Sequence, residues 1–371
     1  MSSAPPPLPI RSTFIVAKVG WRTSRVAFML FFLLYASLAG NPAASKAATG
    51  ESAPTQQIAE ALEDARKADM ELAGIGWRLA IANVALCERR EAGTGLQLHS
   101  LDQFQGEVRE QAKLHFGFAS EVAVEGVLPE SPAARAGIQA DDSILRIGAI
   151  RPDQLSGSAG STDRLVAAQL AVASLPVDAP IEIDAVRKGV PVHFTVHPVP
   201  VCKSRFELRL ASDFRASADG SMVQISSAFL DNYPKQQVAA VVAHEFSHNI
   251  LRHRDRLEAR GVEFGLLSGF GANVKYFRQT EIQADLLSAY LLANAGYDPQ
   301  VSIAFWKHFG PSKAGGIFRT RSHPHWRDRI ATLNAEIGKI AARPERPIIP
   351  ALVAQRDQPL DGDWQSLLIR D

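Results

Sequence analysis

The sequence predicts an α+β chain, in which a mainly helical unit with a small β-sheet is interrupted by a β-rich module. Three observations carry this. Apolar residues from Val238 through Val242, with Phe246, Ile250 and Leu251, recur at helical spacing and leave one polar stripe. Between Gln105 and Pro200 the texture is one of short runs, "EVAVEGVLP", "SILRIGAI", "PIEIDAV" and "PVHFTVHPV", punctuated by Pro132, Gly137 and the pair Asp141-Asp142. "FELRL" and "SMVQIS" then read as two strands around the turn "SADG", followed by helices from Pro234 into the 330s.

With 371 residues, 46% of them hydrophobic and 21% charged, the chain can bury a sizeable core and has the length of two domains plus extensions. A net charge of +1 creates no field that gathers nucleic acid or an anionic membrane surface, so neither is an expected partner. Arg11, Lys18, Arg22 and Arg25 precede the apolar run "VAFMLFFLLYASLA", the layout of a secretory signal peptide. Residues 1–39 are therefore expected to direct export to the periplasm or cell envelope. The run is short against the roughly 20 apolar residues of a membrane span, which favours cleavage after Ala39. An uncleaved anchor is the alternative, and only then does the chain touch the membrane.

Residues 40–54 form a polar linker without periodicity. Residues 55–104 read as a helical region, with Ile58, Leu62, Met70, Leu72, Ile75 and Leu79 on the apolar face and an interruption at Gly74 and Gly76. The β-rich module occupies residues 105–200 and includes one helical run, Thr162 to Leu175; the main helical unit covers 201–342. A proline-rich tail, 343–371, is expected to pack on the surface through Ile348, Ile349 and Trp364. The two cysteines, Cys87 and Cys202, bracket the module. Export carries them into an oxidising compartment where a bond between them makes the module an insertion; two buried free thiols are the alternative.

"VVAHEFSHNILRH" carries the chemistry. His244 and His248 project from one face of the helix, one turn apart, and supply two metal ligands from a rigid frame. Glu245 lies about 100° round the same helix, in reach of a metal-bound water without being a ligand. A hydrolytic zinc takes three protein ligands and keeps one position open. Metzincins place a histidine six residues after the second, beyond a glycine, and Arg254 and Leu251 stand at those positions here. A thermolysin-like arrangement takes a glutamate from a later helix, and "TEIQADLLSAYLL" offers Glu281, with Asp285 one turn on to accept the free ring N–H of a ligand histidine, His244. Read alone, that segment is an ordinary amphipathic helix with two solvated acids.

HExxH, then ExxAD, then His323-Pro324 with Arg329 six residues after the histidine form an ordered set. It resembles the gluzincin family that contains the CAAX prenyl protease, the HtpX heat-shock protease and the periplasmic BepA-like peptidases, over roughly Cys202 to Ile340. The resemblance implies a zincin-type peptidase domain with one Zn(2+) per chain held by His244, His248 and Glu281, and protein or peptide substrates. It also implies that His323 and Arg329 stabilise the oxyanion, with a structural salt bridge to Glu281 or Asp285 as the alternative for Arg329. A histidine at the position of His253 is common in the family, and it has no assigned role here. "DGSMVQIS" is expected to be the edge strand that holds the substrate extended, and "GVEFGLLSGFGANV" a mobile loop near the cleft.

The β-rich module resembles a PDZ domain through "FGF" and "VLPESPAARAGIQADDSILRIGA". Carried over, Phe116, Gly117 and Phe118 form the turn that holds a peptide C-terminus; a strand end with a glycine bulge is the alternative. The expected function is a zinc-dependent endopeptidase of cell-envelope proteins, acting in protein quality control with the PDZ-like module binding substrate C-termini or regulating access. The rival is a PDZ-based binding or chaperone-like protein with a gated or mainly structural zinc site.

Overall fold

The computed structural model describes residues 53–262, 271–313 and 323–370. The expected signal segment 1–39 and most of both the linker and the "GVEFGLLSGFGANV" loop lie outside the described residues. Among the described residues, no helix is long and apolar enough to cross a membrane.

The chain opens on α1 (Ala53–Ala82), which is continuous through Gly74 and Gly76 where an interruption was expected. Gly76 serves close approach instead: a Cβ there would stand 2.4 Å from Cγ of Phe206. The first half of α1 packs on the β-rich module through Leu62, and the second half enters the main core through Leu72, Ile75 and Leu79. One helix thus spans both units. Strands β1 (Arg90–Gly93) and β2 (Leu96–Ser100) follow, then α2 (Gly106–His115), β3 (Val122–Val127), α3 (Pro132–Arg135), β4 (Ser143–Ile147), α4 (Asp163–Val172), β5 (Ile181–Arg187) and β6 (Val190–Val196). Strands β2 to β6 make a five-stranded antiparallel sheet in the order β2-β3-β4-β5-β6, with its own core of Val122, Val124, Ile144, Ile147 and Ile183. The module therefore begins at β2, earlier than residue 105, because "LQLHS" is too short an alternating run between Gly95 and the following turn to announce itself.

Strand β7 (Val199–Cys202) returns antiparallel to β1, in a register that sets Arg90 opposite Cys202. The chain enters and leaves the module side by side, and the Cys87–Cys202 disulfide closes the ends of that ribbon. Reducing it, or replacing both cysteines by Ala, is expected to cost about 2–4 kcal/mol, seen as a lower urea midpoint; an unchanged midpoint contradicts this.

Three strands, β8 (Arg205–Arg209), β9 (Ala216–Ala218) and β10 (Met222–Ser226), form a mixed sheet in the order β8-β10-β9. The expected edge strand "DGSMVQIS" contains β10, which is central; β8 and β9 are the two edge strands. The helices α5 (Ser227–Asn232), α6 (Lys235–Ile250), α7 (His253–Glu258), α8 (Val274–Asn294), α9 (Gln300–Lys313) and α10 (Trp326–Ala341) complete the unit. Its core centres on α6 and α8, whose Val238, Val242, Phe246, Leu287 and Leu291 are fully or almost fully buried. Each such side chain contributes about 1.5–3 kcal/mol by leaving water. The C-terminal segment is docked by Ile348, Val353 and Leu360; Ile349, expected to pack, is largely exposed, and Trp364 lies under the Arg278 guanidinium.

Candidate metal centre

Helix α6 is apolar almost all round, which buries it, and its polar stripe of His244, Glu245 and His248 faces a cavity of about 580 Å³. Glu281 and Asp285 stand one turn apart on α8 and enter the same cavity. The Nε2 atoms of His244 and His248 are 3.3 Å apart, and Glu281 brings one carboxylate oxygen to 3.4 Å of the first and the other to 3.6 Å of the second. A tetrahedral ion with bonds of about 2.0–2.2 Å holds its ligand atoms about 3.3–3.6 Å apart, so these residues fit zinc in spacing as well as donor type.

Both histidines present Nε2 to the site because their Nδ1 atoms are engaged elsewhere. His244 Nδ1 lies 3.0 Å from Asp285 Oδ1, to which it donates. His248 Nδ1 lies 2.9 Å from Nδ1 of His253. His253 reaches it because Arg252 adopts a left-handed conformation (φ 54°), which turns the chain sharply after α6 and restarts it as α7 against the end of the first helix. Sequence reading left His253 unassigned and passed over Gln283, which contacts it; the available signal was a glutamine in the buried stretch of α8.

Arg329 makes the salt bridge to Asp285 that is the alternative to its expected oxyanion role. It is 3% exposed, its Nε and Nη2 donate to the two oxygens of Asp285 at 2.5 and 2.6 Å, and its guanidinium stacks 3.8 Å from the Trp306 ring centre. Nη2 also lies 3.8 Å from Glu281 Oε2, but the two short bonds go to Asp285, so Arg329 positions Asp285, which positions His244. His323 stays on the open side: its Nε2 is 3.4 Å from Glu281 and its side chain is nearly half exposed. Apolar walls of the cavity come from Phe214, Phe229, Phe305, Trp306, Phe309 and Trp326, and edge strand β9 lines its rim.

Without a metal, burial alone would depress His244, but its hydrogen bonds to Asp285 and Glu281 outweigh this and raise it to about 10. Burial lowers His248 to about 4. Glu281 stays well below the usual carboxylate range: burial opposes ionisation, and His323 with His244 and His248 overcomes it. Glu245 is the exception among the acids, since burial lifts it to about 7. In the metal-free site a carboxyl raised toward neutrality thus sits beside the His244, His248 and Glu281 cluster.

Phe116 and Phe118 do not frame an open turn. Both are buried between α1 and the sheet with Leu62 and Leu101, and their amides bond to the Ala112 and Lys113 carbonyls. Gly117 between them takes φ 63°, the backbone of a helix end. The strand that follows, β3, is paired on both sides, so no peptide can add beside it.

Comparison with known proteins gives two findings. Residues 263–337 match the family model described as Peptidase family M48. That segment holds Glu281, Asp285, His323 and Arg329, and the helix with His244 and His248 precedes it. The mitochondrial metalloendopeptidase OMA1 of Arabidopsis thaliana is 30% identical over 96 residues, which are 22% of this chain and 19% of that protein. The chain thus spans about a fifth of the length of the curated relative it matches.

Proposed function

We propose that this chain, which carries an M48 metallopeptidase domain, is a zinc-dependent endopeptidase of cell-envelope proteins. The observation that carries the reading is the placement of His244, His248 and Glu281 at tetrahedral ligand spacing on two packed helices, with Glu245 on the same cavity wall. Zinc bound there supplies Lewis acidity, making a water acidic near neutrality and drawing charge from a carbonyl oxygen. Glu245 takes the proton of the attacking water and passes it to the leaving amine. His323 donates to the oxyanion from the open side of the site. Edge strand β9 holds the substrate extended, its free backbone groups pairing with the peptide alongside the ligands.

Export to the periplasm or envelope is supported by the Cys87–Cys202 bond, which persists in oxidising compartments, and by the signal-like residues 1–39. In the inserted module, a PDZ-like role in regulating access, or in holding substrate C-termini at edge strand β2 and not at the closed 116–118 turn, draws support from the five-stranded sheet with α4 packed on β2. Together these fit protein quality control.

The test is hydrolysis of an unfolded protein by the purified chain before and after metal removal. The expected result is one zinc per chain, activity lost on chelation and restored by zinc alone. Hydrolysis that survives complete removal of metal sinks the proposal.

A further inference from the structure

The buried group contacting His248 has no part in the mechanism above, and its hydrogen bonds have a determinable direction. Arg256 is 7% exposed, and its Nη1 lies 3.1 Å from Oε1 of Gln283. An arginine can only donate, so the Gln283 atom facing it is the oxygen. The amide orientation agrees with the other end of that side chain, where Gln283 Nε2 donates to Gln355 Oε1 at 3.0 Å. The same Gln283 oxygen lies 3.1 Å from Nε2 of His253, which must therefore carry the proton. A second cation buried beside Arg256 is unfavourable, so His253 is neutral and its Nδ1 is a bare lone pair. That lone pair faces His248 Nδ1 at 2.9 Å, and a contact this short between two ring nitrogens requires a proton on one of them. It is on His248 Nδ1, which leaves His248 Nε2 unprotonated toward the ligand set.

We infer that His253 is a positioning residue that selects the metal-binding tautomer of His248, its own direction set by Gln283, Arg256 and the C-terminal segment. The inference rests on the metal reading above and assigns it a support not shared by the other histidine. His244 is oriented by a carboxylate and His248 by a neutral ring. The segment after α10 belongs to this support: Gln355 holds Gln283, the Gln358 carbonyl accepts from Arg256 Nε at 2.9 Å, and Asp361 accepts from Gln279 on α8 at 2.7 Å. Residues 355–358 thereby buttress a metal ligand through Gln283 and Arg256.

The experiment uses the full chain and measures zinc affinity by competition with a chelating indicator, alongside nitrogen–proton correlation spectra of the histidine rings in metal-free protein. His253→Ala and Gln283→Met are expected to weaken zinc binding about 10–100-fold, the usual cost of losing such a partner. His253→Asn places an amide oxygen where Nδ1 accepted, and is expected to bind zinc close to the parent. In the unaltered protein the His248 ring proton is expected on Nδ1. A proton on Nε2 there, or parental affinity in folded His253→Ala, overturns the role of His253. The spectra of the unaltered chain and the His253→Asn variant decide the matter even where His253→Ala fails to fold. Absence of zinc binding by the unaltered chain is a different result, which overturns the metal site and this inference with it.

Discussion

Glu245→Gln is expected to lower kcat/KM by about 10²–10⁴-fold, ~3–5 kcal/mol of transition-state stabilisation, with zinc still bound at one per chain. Glutamine keeps the shape of the side chain, but it replaces one acceptor oxygen by a donor NH2 and cannot take a proton. Glu245 is not among the ligand atoms, so the metal is retained, and this separates loss of the base from loss of the site. The pH dependence follows from the same group. Burial raises its carboxyl to about 7, and the ionised form is the active base, so the rate falls as pH drops through the pKa. Bound zinc, a nearby cation, stabilises the carboxylate, which puts this acid limb at or below pH 7. Measured profiles should show that limb in the parent and lack it in the residual activity of the variant. A Glu245→Gln protein with zinc bound and parental kcat/KM would remove Glu245 from the mechanism.

Asp285→Ala is expected to be the most damaging substitution to stability near the site, costing about 3–5 kcal/mol. The reason is the charge it leaves behind: Arg329 is 3% exposed and forks on both Asp285 oxygens, so its guanidinium stays buried without its bidentate partner, with only Glu281 nearby at 3.8 Å. The same change frees His244 Nδ1 and is expected to weaken zinc about 10–100-fold. The paired variant Asp285→Ala with Arg329→Met separates the two effects. Removing both charges is expected to recover most of the stability but not the zinc affinity, because His244 still lacks its acceptor. Urea unfolding of metal-free protein measures the first and chelator competition the second; an unchanged unfolding midpoint in Asp285→Ala contradicts the account. Asp285 is depressed below its ordinary value in the folded state, with Arg329 and His244 overcoming the opposing effect of burial. Its stabilisation is therefore present above the unfolded value of 3.8 and is lost as pH falls through the lower folded value.

Much of the site was legible because its first pieces are local. His244, Glu245 and His248 occupy one helix, where spacing alone sets which side chains share a face, and Glu281 with Asp285 repeats the logic on a second. The strands and helices were readable for the same reason, since periods of 2 and 3.6 are properties of neighbours in the chain. The misreadings share a different cause. Gly74 and Gly76 look like a helix break until Phe206, far along the chain, is seen lying against Gly76. "DGSMVQIS" holds a good strand, but whether a strand is central or at an edge depends on which partners arrive on either side. Phe116 to Phe118 fit a binding turn by their letters, and burial against α1 closes it.

Sequence by itself determined the chemical inventory: a helical pair of histidines, a glutamate directly after the first, a third candidate ligand on a later helix, and two cysteines bracketing a β-rich module. Only the tertiary structure decided what each polar partner does. Arg329 became an anchor for Asp285 because α8, α9 and α10 meet around it, and His253 became the partner of His248 because one left-handed residue folds α7 back onto α6. The physical reason is that side-chain spacing along one helix is a local property, whereas burial, hydrogen-bond direction and the choice of partner arise only where separate elements pack together.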